Sequence, residues 1–79
     1  MVKYKVIEEN LSNSEIGSYR SYGICAYDND TESEVCFISD VFLHTENAVR
    51  FTNLCNELML DVLHLPNVIE DYLQSIYIE

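Results

Sequence analysis

The clearest periodicity in the chain runs from Thr45 to Met59, TENAVRFTNLCNELM, where Ala48, Phe51, Cys55 and Leu58 recur three or four residues apart. Leu54 and Met59 widen this stripe, while Glu46, Arg50, Asn53 and Glu57 fall outside it. The spacing predicts an amphipathic helix over 45–59 with one face to bury, and with Phe51 and Leu58 in the core. Thr45 suits its N-cap, and Glu46 lies favourably in the first turn against the helix dipole. Leu60 to Leu65 breaks the pattern, and Pro66 opens a second helix that runs to about Ser75 with Val68, Ile69, Tyr72, Leu73 and Ile76 inward. The closing IYIE is rich in strand formers and offers an alternative edge strand.

Upstream of these helices the period changes to two. Val2 to Glu9 alternates, with Val2, Tyr4 and Val6 on one side and Lys3, Lys5 and Ile7 on the other, which predicts a first strand over about 2–9. Asn10 to Ser18 collects turn formers. Ser12 with Glu15 three residues later suggests a single capped helical turn ended by Gly17. Two further strands are predicted over 19–28 and 34–42, joined by the polar NDTES as a hairpin. Centring the loop between Asp30 and Thr31 pairs Cys25 with Cys36, Ile24 with Phe37 and Ala26 with Val35. Tyr22, Ile24, Ala26, Val35 and Phe37 then share one face, with Tyr19, Cys25, Tyr27, Cys36, Ile38 and Phe42 on the other, although a slip of one residue would exchange the sets. The expected architecture is α+β: a three-stranded antiparallel β-meander followed by two α-helices packed on one face, forming a single small domain over 1–79.

Composition sharpens this picture at two points. Two helices cover one side of three strands, yet both faces carry apolar and aromatic residues, so the surplus predicts a homodimer that uses the sheet face opposite the helices or the edge of the first strand. The chain has four basic residues against fourteen acidic ones, a formal charge of −10 over 79 residues. Binding nucleic acid or an anionic membrane directly is not expected, because neutralising phosphate requires clustered Lys and Arg. A hydrophobic fraction of 48% with two Gly and one Pro favours a folded chain despite that charge. The start lacks the apolar run of a signal peptide and no segment reaches membrane-spanning length, so a cytoplasmic location is expected.

Catalytic chemistry finds little footing. Asp28, Asp30, Glu32 and Glu34 place a carboxylate at every second position, but a calcium loop of the helix–loop–helix type needs Gly sixth and Glu twelfth, where this chain has Ser33 and Ser39. An acidic turn that discourages strand aggregation accounts for the same pattern. Cys25, Cys36 and Cys55 lack the close pairing of a zinc site and read as reduced, buried thiols. His44 and His64 have no ligand at metal-binding spacing beside them, no nucleophile elbow surrounds any serine, and two glycines build no phosphate loop. No cofactor, no metal and no enzymatic activity are expected.

Ser21-Tyr22-Gly23-Ile24, Ile38-Ser39-Asp40-Val41, Leu54-Cys55-Asn56, His64-Leu65 and Val68-Ile69-Glu70-Asp71-Tyr72-Leu73 together resemble a family of short bacterial proteins described as a domain of unknown function. The resemblance spans roughly residues 19–73 and rests mostly on packing residues. It implies a compact α+β domain and no activity.

Two functional classes follow. One is a small, acidic, non-enzymatic protein-interaction module with a regulatory role that associates with itself. The six tyrosines favour it, because Tyr combines a large rigid surface with a polar tip, and Tyr19, Tyr22 and Tyr27 are expected contacts together with Asp28, Asp30, Glu32 and Glu34. The other is an acidic mimic that occupies the nucleic-acid groove of a basic protein, as phage-encoded inhibitors of restriction or CRISPR nucleases do.

Overall fold

The computed structural model describes residues 1–77, and the last two residues of the closing IYIE lie outside them. Three strands, β1 (Val2–Asn13), β2 (Gly17–Asp28) and β3 (Glu34–Phe42), form an open antiparallel sheet in the order β1-β2-β3. They precede α1 (Thr45–Leu58), a 3-10 turn at Val62–His64, and α2 (Leu65–Tyr77). This is the expected α+β meander. Ile76 and Tyr77 belong to α2, so they add no edge strand.

The core lies between the helices and one sheet face. Tyr4, Ile24, Ala26 and Phe42 from the strands meet Ala48, Phe51, Cys55, Leu65 and Ile69 from the helices. At its centre Phe42, Phe51 and Tyr72 form a mutual aromatic trio with ring centroids 5.1–5.9 Å apart, tilted or edge-on as ring quadrupoles prefer. The Tyr4 ring is buried with them, and its hydroxyl donates to the Leu60 carbonyl at 2.6 Å, pinning β1 to the segment after α1.

The β1–β2 hairpin is longer than its sequence suggested. No helical turn forms between Asn10 and Ser18. The ladder runs on to the pair Asn13–Gly17, because the Asn13 side chain accepts the Glu15 N–H at 2.7 Å and Gly17 takes a φ of +78°. A β-carbon at Gly17 would meet nothing within 4 Å, so glycine serves there for its left-handed conformation alone.

The β2–β3 register also departs from expectation, for a local reason. Tyr27 pairs with Glu34, which fits a loop centred between Asp30 and Thr31, but a bulge next to this pair shifts everything beyond it by one residue. Cys25 therefore faces Phe37 rather than Cys36, Ile24 faces Ile38, and Ala26 faces Cys36. The division of β2 between the faces stands, whereas β3 is exchanged: Cys36, Ile38 and Phe42 join Tyr22, Ile24 and Ala26 on the helix side, and Phe37 turns to the opposite face. A second shift separates Ile24–Ile38 from Tyr22–Phe42 and contains Asp40 at a left-handed φ of 56°.

Helix α1 buries Ala48, Phe51, Thr52 and Cys55. Leu58 and Met59, expected in the stripe, are 65% and 68% exposed, and Leu54 lies at the margin. The helix is rolled toward β1, where the Asn56 side chain docks. Met59 ends α1 in the left-handed conformation, and Leu60 N–H returns to the Cys55 carbonyl at 3.0 Å. The N-cap is His44 rather than Thr45, with no side-chain bond. Asp61 accepts the Leu63 N–H and starts the 3-10 turn that leads into α2.

Candidate interaction surface

The sheet has a second face, which the helices leave uncovered. Because Val2, Tyr4 and Val6 point to the core, alternation places Lys3, Lys5, Ile7, Glu9 and Leu11 of β1 on this side. The pairing then aligns three rows across the strands: Lys3–Tyr27–Glu34, Lys5–Cys25–Phe37 and Ile7–Gly23. The Lys5 ammonium stands 4.9 Å from the centre of the Tyr27 ring, within cation–π range. Phe37 lies over Gly23, whose absent β-carbon would fall 2.8 Å from the ring and 2.8 Å from the Ile38 carbonyl oxygen. Glycine is required here by this close approach. Cys25, in the middle row, is only 4% exposed although no helix covers it, and burial pushes its thiol up, with Glu34 adding to the shift and Lys5 opposing it.

Beyond Gly23 the face becomes a polar brace. Glu9 reaches across β2 to the β3 bulge, where its two oxygens accept the Ser39 hydroxyl at 2.7 Å and the Asp40 N–H at 2.8 Å. The Asp40 carboxylate accepts the Tyr19 hydroxyl at 2.8 Å and the Ser21 hydroxyl at 2.6 Å, and Ser21 also lies 3.0 Å from the Phe42 carbonyl oxygen. Asp40 beside it holds the Tyr19 phenol above its ordinary range, since the hydrogen bond exists only with the phenol protonated. Ser21 is wholly buried, and both its acceptors are protein groups, so this serine is spent on structure.

The edge of the same sheet is blocked at one point. Asn56 of α1 accepts the Tyr4 N–H at 2.8 Å and donates to the Tyr4 carbonyl at 3.0 Å, occupying backbone groups that would otherwise receive another strand. Farther along, Arg20 and Glu8 make an exposed pair at 3.9 Å, of little energetic weight.

The residues singled out in the sequence divide among three places. Tyr19, Tyr27 and Glu34 share the open face, whereas Tyr22 turns to the helix side and packs against the core. Asp28, Asp30 and Glu32 form the β2–β3 turn. There Asp28 Oδ1 accepts the Asp30 and Thr31 N–H groups, which holds its carboxyl below the usual range, and Asp30 lies 3.7 Å from the N-terminal ammonium. Glu32 completes the turn at a φ of 60°. Among the described residues no three His, Cys, Asp or Glu side chains are placed to hold a metal ion. No helix among them is long and apolar enough to cross a membrane. Of the thiols, Cys25 and Cys55 are buried and Cys36 is partly exposed. Lys3, Lys5, Ile7 and Phe37 also lie on this face, although none was among the contact residues expected from the sequence. The alternation in Val2 to Glu9 already grouped the first three, while Phe37 was hidden by the bulge.

A second set of exposed apolar side chains, Leu58, Met59 and Leu63, lies at the end of α1 and in the turn after it.

Comparison with known proteins places the chain in one family. A model of the Family of unknown function (DUF6514) matches residues 1–75, and the chain belongs to that family. The match covers the segments that carried the resemblance noted from sequence and adds β1 to them. No curated protein and no solved structure matches the chain.

Proposed function

We propose, for this member of a family of unknown function, that the chain is a small acidic protein-interaction module which acts by binding, without chemistry of its own, in a regulatory role, and which associates with itself. The observation that carries this reading is the half-covered sheet. Ile7, Tyr27 and Phe37 lie on a face that neither helix reaches, with Phe37 still 38% exposed and resting on Gly23. Aromatic side chains held rigid in a sheet lose little conformational freedom when a partner covers them, so they suit a docking surface. The burial of Ser21 and the engagement of Glu9 and Asp40 with neighbouring groups support a structural role for the polar residues beside it.

Light scattering at tens of micromolar in moderate salt tests the reading. The expected mass is twice 9.2 kDa, and Phe37→Glu reduces it to the monomer. A wild-type mass of 9.2 kDa overturns self-association. Dimers that survive Phe37→Glu but are lost in Leu58→Glu/Leu63→Glu move the contact to the end of α1.

A second reading, the acidic mimic of nucleic acid, draws on how the charge is divided. Lys3 and Lys5 belong to the open face and Arg20 is paired with Glu8, so the helical side presents Glu46, Glu57, Asp61, Glu70 and Asp71 with Arg50 as its cation. Such a surface suits a basic nucleic-acid-binding protein. Its test is competition: the chain displaces duplex DNA from a basic nuclease in a gel-shift titration, and Glu46→Gln/Glu57→Gln/Glu70→Gln weakens the displacement. Displacement that is absent, or unchanged in that variant, removes the reading.

A further inference from the structure

We propose that the open face is closed by a second copy of this chain, the two sheets meeting about a two-fold axis parallel to β2, so that β1 of each copy lies over β3 of the other. The inference rests on the self-association proposed above and specifies its geometry.

Three observations lead to it. First, strand addition at the edge of β1 is obstructed, because Asn56 already occupies the outward N–H and carbonyl of Tyr4. The outer strand β3 is interrupted by two register shifts and by the left-handed Asp40. A bulged, interrupted edge is a poor template for continuous pairing, which leaves the face.

Second, the face is where a chain of charge −10 meets a copy of itself with least repulsion. Its anionic groups are Glu9, Asp40 and Glu34, and the first two have both oxygens engaged by Ser39, the Asp40 amide, Tyr19 and Ser21. Lys3 and Lys5 offset two of these three charges. The helical side presents Glu46, Glu57, Asp61, Glu70 and Asp71 with Arg50 as its cation, so a two-fold contact there brings more like charges together.

Third, the remaining charges are arranged asymmetrically across the sheet, and this selects the axis. Lys3 and Lys5 lie on β1, and Glu34 lies on β3 in the same row as Lys3. Rotation about an axis along β2 exchanges the two outer strands and keeps each row at its own height. Lys3 of each copy then meets Glu34 of the other, Lys5 meets Phe37, and the two Tyr27 rings meet at the axis. An axis across the strands instead sets Lys5 against Glu9, whose oxygens are already bonded, and leaves Glu34 without a cation. Sheets that pack face to face keep their strands nearly aligned, which either axis permits, so charge makes the selection.

A charge-swap experiment separates the possibilities. Lys3→Glu/Lys5→Glu and Glu34→Lys are prepared as full-length chains, one with a small affinity tag so that native mass spectrometry resolves each pairing. Both alter exposed or half-exposed side chains, and circular dichroism confirms that each is folded. Alone, each variant sets like charges against each other and dimerises at least ~10-fold more weakly than wild type. Mixed in equal amounts they form the mixed dimer, because one Lys3–Glu34 contact is then native and the other is restored with reversed sign. Weakened homodimers with no mixed dimer overturn the proposed axis. Homodimers as tight as wild type overturn the charge contact while leaving self-association standing. A monomeric wild type overturns both readings.

Discussion

Phe51 is fully buried, with the rings of Phe42 and Tyr72 centred 5.5 and 5.1 Å away, while Leu58 two turns later is 65% exposed. Helical spacing places both in one stripe, but an apolar stripe read from sequence is wider than the strip of helix that touches a sheet. Phe51→Ala is expected to cost about 3–5 kcal/mol, a large part of the stability of so short a chain, and Leu58→Ala less than ~0.5 kcal/mol. Urea denaturation checks the pair: equal midpoints for the two variants would contradict the placement of Phe51 in the core. Cys55, almost fully buried on the same helix, has its thiol pushed up by burial from 9.0 to about 11. Below pH 9 both folded and unfolded chains hold this proton, and the contribution to stability is complete. As pH rises toward 11 the unfolded thiol ionises first, so stability falls across this window. Between about pH 8 and about pH 10.5 the urea midpoint of wild type is therefore expected to fall further than that of Cys55→Ala, in which this group is absent.

Among the elements, the contact between α1 and β1 does two jobs. Asn56 fixes the roll of the helix, which explains why Leu54 and Leu58 lie outside the core, and it seals the sheet edge at Tyr4. Replacing it with Ala removes two hydrogen bonds to partly buried backbone groups, at an expected cost of about 1–3 kcal/mol. Amide exchange followed by NMR gives a sharper readout. The Tyr4 N–H is expected to exchange faster in Asn56→Ala even under conditions where the fold persists, and unchanged protection would show that the side chain does not guard this edge. The bulge beside Tyr27–Glu34 is the counterpart on the other side of the sheet. It turns Cys36 and Ile38 into the core and sets Phe37 on Gly23, so one extra residue in β3 determines what the open face displays.

At the scale of the molecule, a charge of −10 on a chain of this size opposes compactness through self-repulsion. Salt shortens the reach of that repulsion, so the melting temperature is expected to rise between low and moderate ionic strength. A gain of ~0.5 kcal/mol corresponds to roughly 2–4 °C for a domain of this length, and a falling melting temperature in calorimetry would count against the charge argument. The order and type of the three strands and two long helices, the two sides of β1, the division of β2 between faces and the centre of the β2–β3 turn were all legible in the sequence. Each follows from local backbone geometry, with side chains alternating at a period of two in strands and recurring every 3.6 residues in helices, and from turn residues at the expected places. Long-range packing decided the rest. Glu32, Asp40 and Met59 adopt positive φ without being glycine, so no glycine marks the left-handed positions in the turn, the bulge and the helix end. The polar Asn10 to Asn13 and Gly17 to Ser18 join a strand ladder because its hydrogen bonds come from the backbone and need no apolar pattern. The face that Phe37 occupies, and the depth to which each helical residue is buried, became defined only when the sheet and helices met, because each depends on a partner that local sequence does not contain.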